Sequence, residues 1–129
     1  AIAKFLSNHP KVSWVNCAAL ENHRDHALCQ KYMGGKSPSI LSFGVKPSAG
    51  VSPREAGAKV LDAVKLFTRL VNIGDTRSLI THSASTTHRQ LSTEELAKAG
   101  VSEDMIRLSV GIENIDDLLA DLDQALAVA

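Results

Sequence analysis

The hydrophobic pattern of this chain alternates between extended and helical spacing. Residues 1 to 8, Ala-Ile-Ala-Lys-Phe-Leu-Ser-Asn, read as the last turns of a helix whose beginning lies outside the chain. Val12-Ser13-Trp14-Val15, just after Pro10, is a short β-prone run, and Glu21 to Tyr32 reads as a polar helix. Leu20, Ala27, Leu28 and Tyr32 supply one face of that helix, and Gly34-Gly35 stops it. Ser39 to Val45 is the most strand-like segment, ended by Lys46-Pro47. Ser52 then caps a helix with Pro53 in its first turn and Glu55 closing a capping box. Ala56, Val60, Ala63, Val64, Phe67 and Val71 continue its apolar side, so the spacing predicts a helix to about Val71, broken by Gly74.

Farther on, Ser92-Thr93-Glu94-Glu95 repeats the capping-box pattern and opens a short helix that Gly100 closes, with Ser102 capping another turn toward Met105. Ile106 to Val110 is a strand that leads to Asn114, an N-cap with Asp116 and Asp117 near the positive end of the last helix. Ile115, Leu118, Leu119, Leu122, Ala125 and Leu126 form its apolar stripe. About four short strands interleave with four or five helices, which predicts a two-layer α/β sandwich in one domain spanning residues 1–129.

Composition narrows the function classes. A chain of 129 residues, 44% hydrophobic, is long enough to bury a core of its own. Its 14 basic and 14 acidic side chains cancel and form no long run, which argues against nucleic acid or an anionic membrane as partner. No apolar stretch approaches the roughly 20 residues of a membrane span, and no charged-then-apolar leader is present. Cys17 and Cys29 lack zinc-ligand spacing and read as reduced thiols, which predicts a soluble cytoplasmic protein.

Two polar stretches carry the candidate chemistry. The run Arg107 to Leu119 starts a strand with a guanidinium, a planar donor fork that matches a carboxylate. From spacing alone the favoured reading of Arg107 is a surface residue paired with Glu113 or Asp104, as most arginines are. Upstream, Asn72 to His88 is dense in hydroxyls and imidazoles. His82 and His88 fall six apart in an apparent loop with no third ligand nearby, so no metal site is expected. The hydroxyls of Ser85, Thr86 and Thr87 suit either an anion or a self-bonded turn. No GxSxG, GxGxxG, P-loop or HExxH motif occurs.

The ordered motifs Gly74-Asp75-Thr76-Arg77-Ser78-Leu79, His82 to His88, and Ile106 to Glu113 with Ile115-Asp116-Asp117-Leu118 resemble the C-terminal part of the pyridoxal 5′-phosphate (PLP) enzymes of cysteine and methionine metabolism. Within that family, Ser85 to Leu91 and Ile40 to Lys46 are most similar to the O-acetylhomoserine sulfhydrylase branch. The resemblance covers essentially the whole chain. It implies the small C-terminal domain of a fold-type I, aspartate-aminotransferase-like transferase of roughly three times this length. Such an enzyme replaces the γ-acetoxy group of O-acetylhomoserine with sulfide, giving homocysteine and acetate in methionine biosynthesis. Cystathionine γ-synthase and methionine γ-lyase are the related alternatives, and a stand-alone carboxylate-binding module is the alternative outside catalysis.

By the same resemblance, Arg107 holds the substrate's α-carboxylate, with contributions from Asn72 and Thr87. The large domain that would supply the Schiff-base lysine and hold the cofactor is absent, so no residue here is expected to be catalytic and the chain alone is expected to be inactive. A homotetramer is implied for the intact enzyme. Two departures stand out. Ser83 occupies a position where the family usually has proline, and the stretch Val15 to Leu20 stands where the family commonly has a tyrosine-proline-glycine run.

Overall fold

The computed structural model describes residues 1–129. Five helices and five strands follow in the order α1 (Ile2–Asn8), β1 (Val12–Asn16), α2 (His26–Met33), β2 (Ile40–Val45), α3 (Pro53–Ala63), β3 (Thr68–Arg69), β4 (Leu79–His82), α4 (Thr93–Lys98), β5 (Met105–Ser109) and α5 (Ile115–Leu126). The strands form one sheet in the order β1-β2-β5-β4-β3. All neighbours run antiparallel except β3 and β4.

Side chains opposite one another in adjacent strands share a face of the sheet. The rows Leu41–Leu108–Ile80 and Phe43–Ile106–His82 therefore point the same way. They meet Ala56, Val60 and Leu61 of α3, Leu118, Leu122, Ala125 and Leu126 of α5, and Ile2 and Leu6 of α1 in one apolar core. This is the α/β two-layer arrangement expected from the alternation of elements. Truncating a fully buried member such as Leu122 to alanine costs about 2–5 kcal/mol.

Several element ends depart from the sequence reading. The third helix stops at Ala63, because Val64 is extended (φ −64°, ψ 143°). The three residues after Val64 are held out of the helix by α5: the buried Asp121 carboxylate accepts the N–H groups of Lys65 (2.8 Å), Leu66 (2.8 Å) and Phe67 (3.1 Å). Phe67 then enters the core, Thr68–Arg69 pairs as β3, and Val71 is exposed. Ile115 of the expected α5 stripe is 40% exposed, while Asp121 is buried.

Helix α2 begins only at His26, and it buries Cys29 while Leu28 and Tyr32 face solvent. The preceding residues are occupied by local polar bonds, Nδ1 of His23 accepting the Asp25 N–H at 3.1 Å, which compete with helix formation. The expected loop at His82 is instead the end of β4. The reciprocal capping box forms at Ser92 and Glu95. At α3 only half of it forms: Ser52 accepts the Glu55 N–H, and the Glu55 carboxylate turns to Lys59 at 2.9 Å.

Candidate functional site

The face of the sheet opposite the helices carries a polar row, Asn16–Ser42–Arg107–Thr81, contributed by β1, β2, β5 and β4. Arg107 stands in the middle of it because its neighbours Ile106 and Leu108 are taken by the core and the strand alternates. The half-buried guanidinium lines a cavity of about 290 Å³ with Asn16, His23, Ser42, Ile40 and Met105. That volume is at the small end of ligand sites, of the order of 300 Å³.

The pairing of Arg107 with Glu113 or Asp104 does not occur. Glu113 accepts the Ser78 N–H at 2.6 Å and its hydroxyl at 2.8 Å, and Ser78 Oγ in turn accepts the Gly111 N–H at 2.9 Å. Burial opposes ionisation of Glu113, but the Ser78 donors outweigh it and hold the carboxyl below its usual range. A side chain at Gly111 would meet the Thr76 carbonyl oxygen at 2.3 Å, so only glycine lets the two segments close. Asp104 accepts the Trp14 indole N–H at 3.0 Å and the Ser13 hydroxyl at 3.2 Å. Both acids are thus occupied, and the Arg107 side chain has no ion pair in the chain.

On the β4 side, Thr81 faces Arg107 across the ladder, and its hydroxyl lies 3.4 Å from that of Thr86. Thr86 donates to the His82 carbonyl at 2.8 Å. Thr87 is exposed, its hydroxyl bonded to Nδ1 of His88 at 2.8 Å. Asn72 is also exposed and accepts the N–H of Ile73 at 2.8 Å. No hydrogen bond joins either residue to Arg107 within this chain.

His82 belongs to the core. Its Nε2–H donates to the Glu103 carbonyl at 2.7 Å, so Nδ1 accepts the Ser85 hydroxyl at 2.8 Å. Burial pushes the imidazole pKa down, toward the neutral form. The ring fits because α3 has glycine above it: a Cβ on Gly57 would come within 2.4 Å of Nε2. Asn16, His23 and Ser42 are the cavity residues that sequence reasoning missed. The only sequence signal for them is strand alternation, since the register that aligns Asn16, Ser42 and Arg107 is a tertiary fact.

A model of the Cys/Met metabolism PLP-dependent enzyme family matches residues 1–127. The chain belongs to that family. Among its relatives, homocysteine synthase of Schizosaccharomyces pombe is 47% identical over 129 residues, covering 100% of this chain and 29% of that protein. O-acetyl-L-homoserine sulfhydrylase 1 of Thermus thermophilus is 48% identical over 126 residues, covering 98% and 29%. A crystal structure assigned as an O-acetylhomoserine (thiol)-lyase from Campylobacter jejuni, holding a pyridoxyl-lysine, superposes with a TM-score of 0.83 at 44% identity over 98% of this chain and 29% of that one. Cystathionine γ-lyase of Micromonospora echinospora gives a TM-score of 0.80 at 35% identity, over 98% and 31%. The chain therefore spans about 29% of the length of the curated relatives it matches.

The residues present do not make a site for the family's cofactor. Covalent PLP chemistry needs a lysine at the reacting centre. None lines the Arg107 cavity, and Lys11 is committed to Ser48 and the Ala129 carbonyl, each at 2.7 Å. What the open sheet face presents is a guanidinium without an ion-pair partner in the chain.

Proposed function

We propose that this chain is the small, C-terminal domain of a PLP-dependent O-acetylhomoserine sulfhydrylase, and that Arg107 holds the α-carboxylate of the amino-acid substrate. The intact enzyme would exchange the γ-acetoxy group for sulfide, with homocysteine and acetate as products. The missing large domain supplies the lysine and the cofactor site. Homotetrameric assembly and a cytoplasmic location belong to the same reading.

One observation carries the proposal: a guanidinium on a rigid central strand, opening into a small cavity, with both acids that its sequence spacing suggested as partners, Asp104 and Glu113, bonded elsewhere. A bidentate pair to a carboxylate at such a half-buried position is stronger than an exposed ion pair. Thr87 enters the reading as a further contact through the family resemblance. Asn72, in the loop between β3 and β4, enters it as the third on the same resemblance. The 48% identity to an O-acetyl-L-homoserine sulfhydrylase, against 35% to a cystathionine γ-lyase, supports the sulfhydrylase reading, with cystathionine γ-synthase and methionine γ-lyase as the related alternatives.

In the intact enzyme, Arg107→Ala is expected to raise KM for O-acetylhomoserine by about 30- to 150-fold and to lower kcat, since about 2–3 kcal/mol of charge-assisted bonding and the substrate's orientation are lost together. Unchanged kcat/KM would refute the assignment.

A further inference from the structure

Beside Arg107 the cavity holds a two-residue device that the carboxylate reading leaves unused. Asn16 ends β1 on the open face, exposed, and His23 lies behind it with its side chain 17% accessible. Nδ1 of His23 accepts the backbone N–H of Asp25 at 3.1 Å, so the ring hydrogen sits on Nε2. Nε2 is 2.7 Å from Oδ1 of Asn16 and donates to it. This fixes the amide: with Oδ1 engaged, the NH2 group turns away from His23 and has no partner in the chain. Ser42 is the register partner of both Asn16 and Arg107, which separates their backbones by two strand spacings, about 10 Å. Its short side chain leaves the path between them open, and an extended arginine and an asparagine amide span that gap with one carboxylate between them.

We infer that Asn16 is a second donor to the carboxylate held by Arg107, aimed by His23. The inference rests on the Arg107 assignment and deepens it. A guanidinium fork satisfies one edge of a carboxylate and leaves outer lone pairs on both oxygens. The Asn16 NH2 meets one of them and fixes the rotation of the ligand about the Arg107 axis, which the fork alone leaves loose. His23 is a positioning residue, because it touches Asn16 and not the ligand.

The test uses the intact enzyme, with KM for O-acetylhomoserine and the Kd of L-norvaline, an amino acid without a leaving group, measured by calorimetry. Asn16→Ala is expected to raise both about tenfold, one hydrogen bond to a charged group, with a smaller change in kcat. Asn16→Asp keeps an acceptor for His23 but turns a negative oxygen toward the ligand, so it should weaken both further than alanine does, at unchanged thermal stability. His23→Gln preserves a donor and should bind near wild type, while His23→Phe frees the amide and should resemble Asn16→Ala. Asn16→Asp binding as tightly as wild type, or a loss seen with O-acetylhomoserine and absent with norvaline, overturns the inference. Arg107→Ala on the same probes separates the two readings. Loss there without loss in the Asn16 variants removes only Asn16, whereas norvaline binding that survives Arg107→Ala removes the clamp itself.

Discussion

The contact that decides where α3 ends is a carboxylate 54 residues from the nearest backbone N–H it accepts, and removing it gives the sharpest test of the fold. Asp121 holds Lys65, Leu66 and Phe67, and the Gln124 amide donates to it at 3.0 Å. Hydrogen bonds to a charged group contribute about 1.5–3 kcal/mol each, but three on one carboxylate overlap, and the two less buried N–H groups recover water when it is lost. Asp121→Ala should therefore destabilise the chain by about 3–5 kcal/mol, a large share of the roughly 5–15 kcal/mol typical of a domain. With a urea m-value of about 2 kcal/mol/M the midpoint falls by about 2 M, readable by circular dichroism. Burial alone would raise the Asp121 pKa, but the N–H donors overcome this and hold it below its ordinary value. Its stabilisation is thus complete above the unfolded carboxyl pKa of about 3.9 and is lost as pH falls through the lower folded value. The gap between wild type and Asp121→Ala should be full at about pH 7 and shrink near pH 2. A midpoint shift below about 0.3 M at neutral pH, or a gap that does not depend on acid, would refute this account.

Gly57→Ala should destabilise by about 1–3 kcal/mol although alanine is the better helix former, because the added methyl strikes the His82 ring, and thermal unfolding reads the difference. His82, held neutral by burial, makes stability fall as pH drops from the unfolded imidazole value of about 6.5 toward its lower folded value; urea midpoints at about pH 7.5 and 5.5 should show that slope, reduced in His82→Gln. The 129-residue chain given PLP, O-acetylhomoserine and sulfide should make no homocysteine above a blank, since no lysine lines the Arg107 cavity, and sustained turnover would sink the two-domain reading.

Local signals were legible wherever the deciding residues are close in sequence. Ser92 with Glu95, Asn114 before Asp116, and Gly34 after Met33 each fix an element end within one turn, and each acts as read. The end of α3 was not legible: Val64, Phe67 and Val71 keep the helical period, and the residue that overrides it lies in α5. Strand β4 was hidden for another reason. All four of its residues are buried, so its sequence does not alternate and His82 looks like a loop residue. Arg107 was legible as a candidate, and the family resemblance gave it a role. Its freedom from Glu113 and Asp104 depends on where Ser78 and Trp14 fold. Asn16 was hidden altogether, because only the β1–β2–β5 register sets it in the same cavity as Arg107.

That freedom has a physical logic. A resident carboxylate on Arg107 would have to be displaced by every ligand, and even a weak exposed pair, up to about 1 kcal/mol, lowers affinity several-fold. Both acids that flank the strand of Arg107 in sequence are employed elsewhere: Glu113 fastens the segment before β4 to the end of β5, and Asp104 fastens β1 through Ser13 and Trp14. The same carboxylates that hold the loops are thereby withheld from the guanidinium. Freeing one should expose the competition. Ser78→Ala removes the hydroxyl donor from Glu113, leaving only the Ser78 N–H to hold the carboxylate, on the loop that follows the strand of Arg107. In the intact enzyme this variant should raise KM for the amino acid about two- to fivefold, with kcat nearly unchanged, and added salt should reduce the effect by screening the new pair. The double variant Ser78→Ala with Glu113→Gln should recover the lost affinity. If it does not, the acids around Arg107 are structural ties alone and their occupation has no bearing on ligand binding.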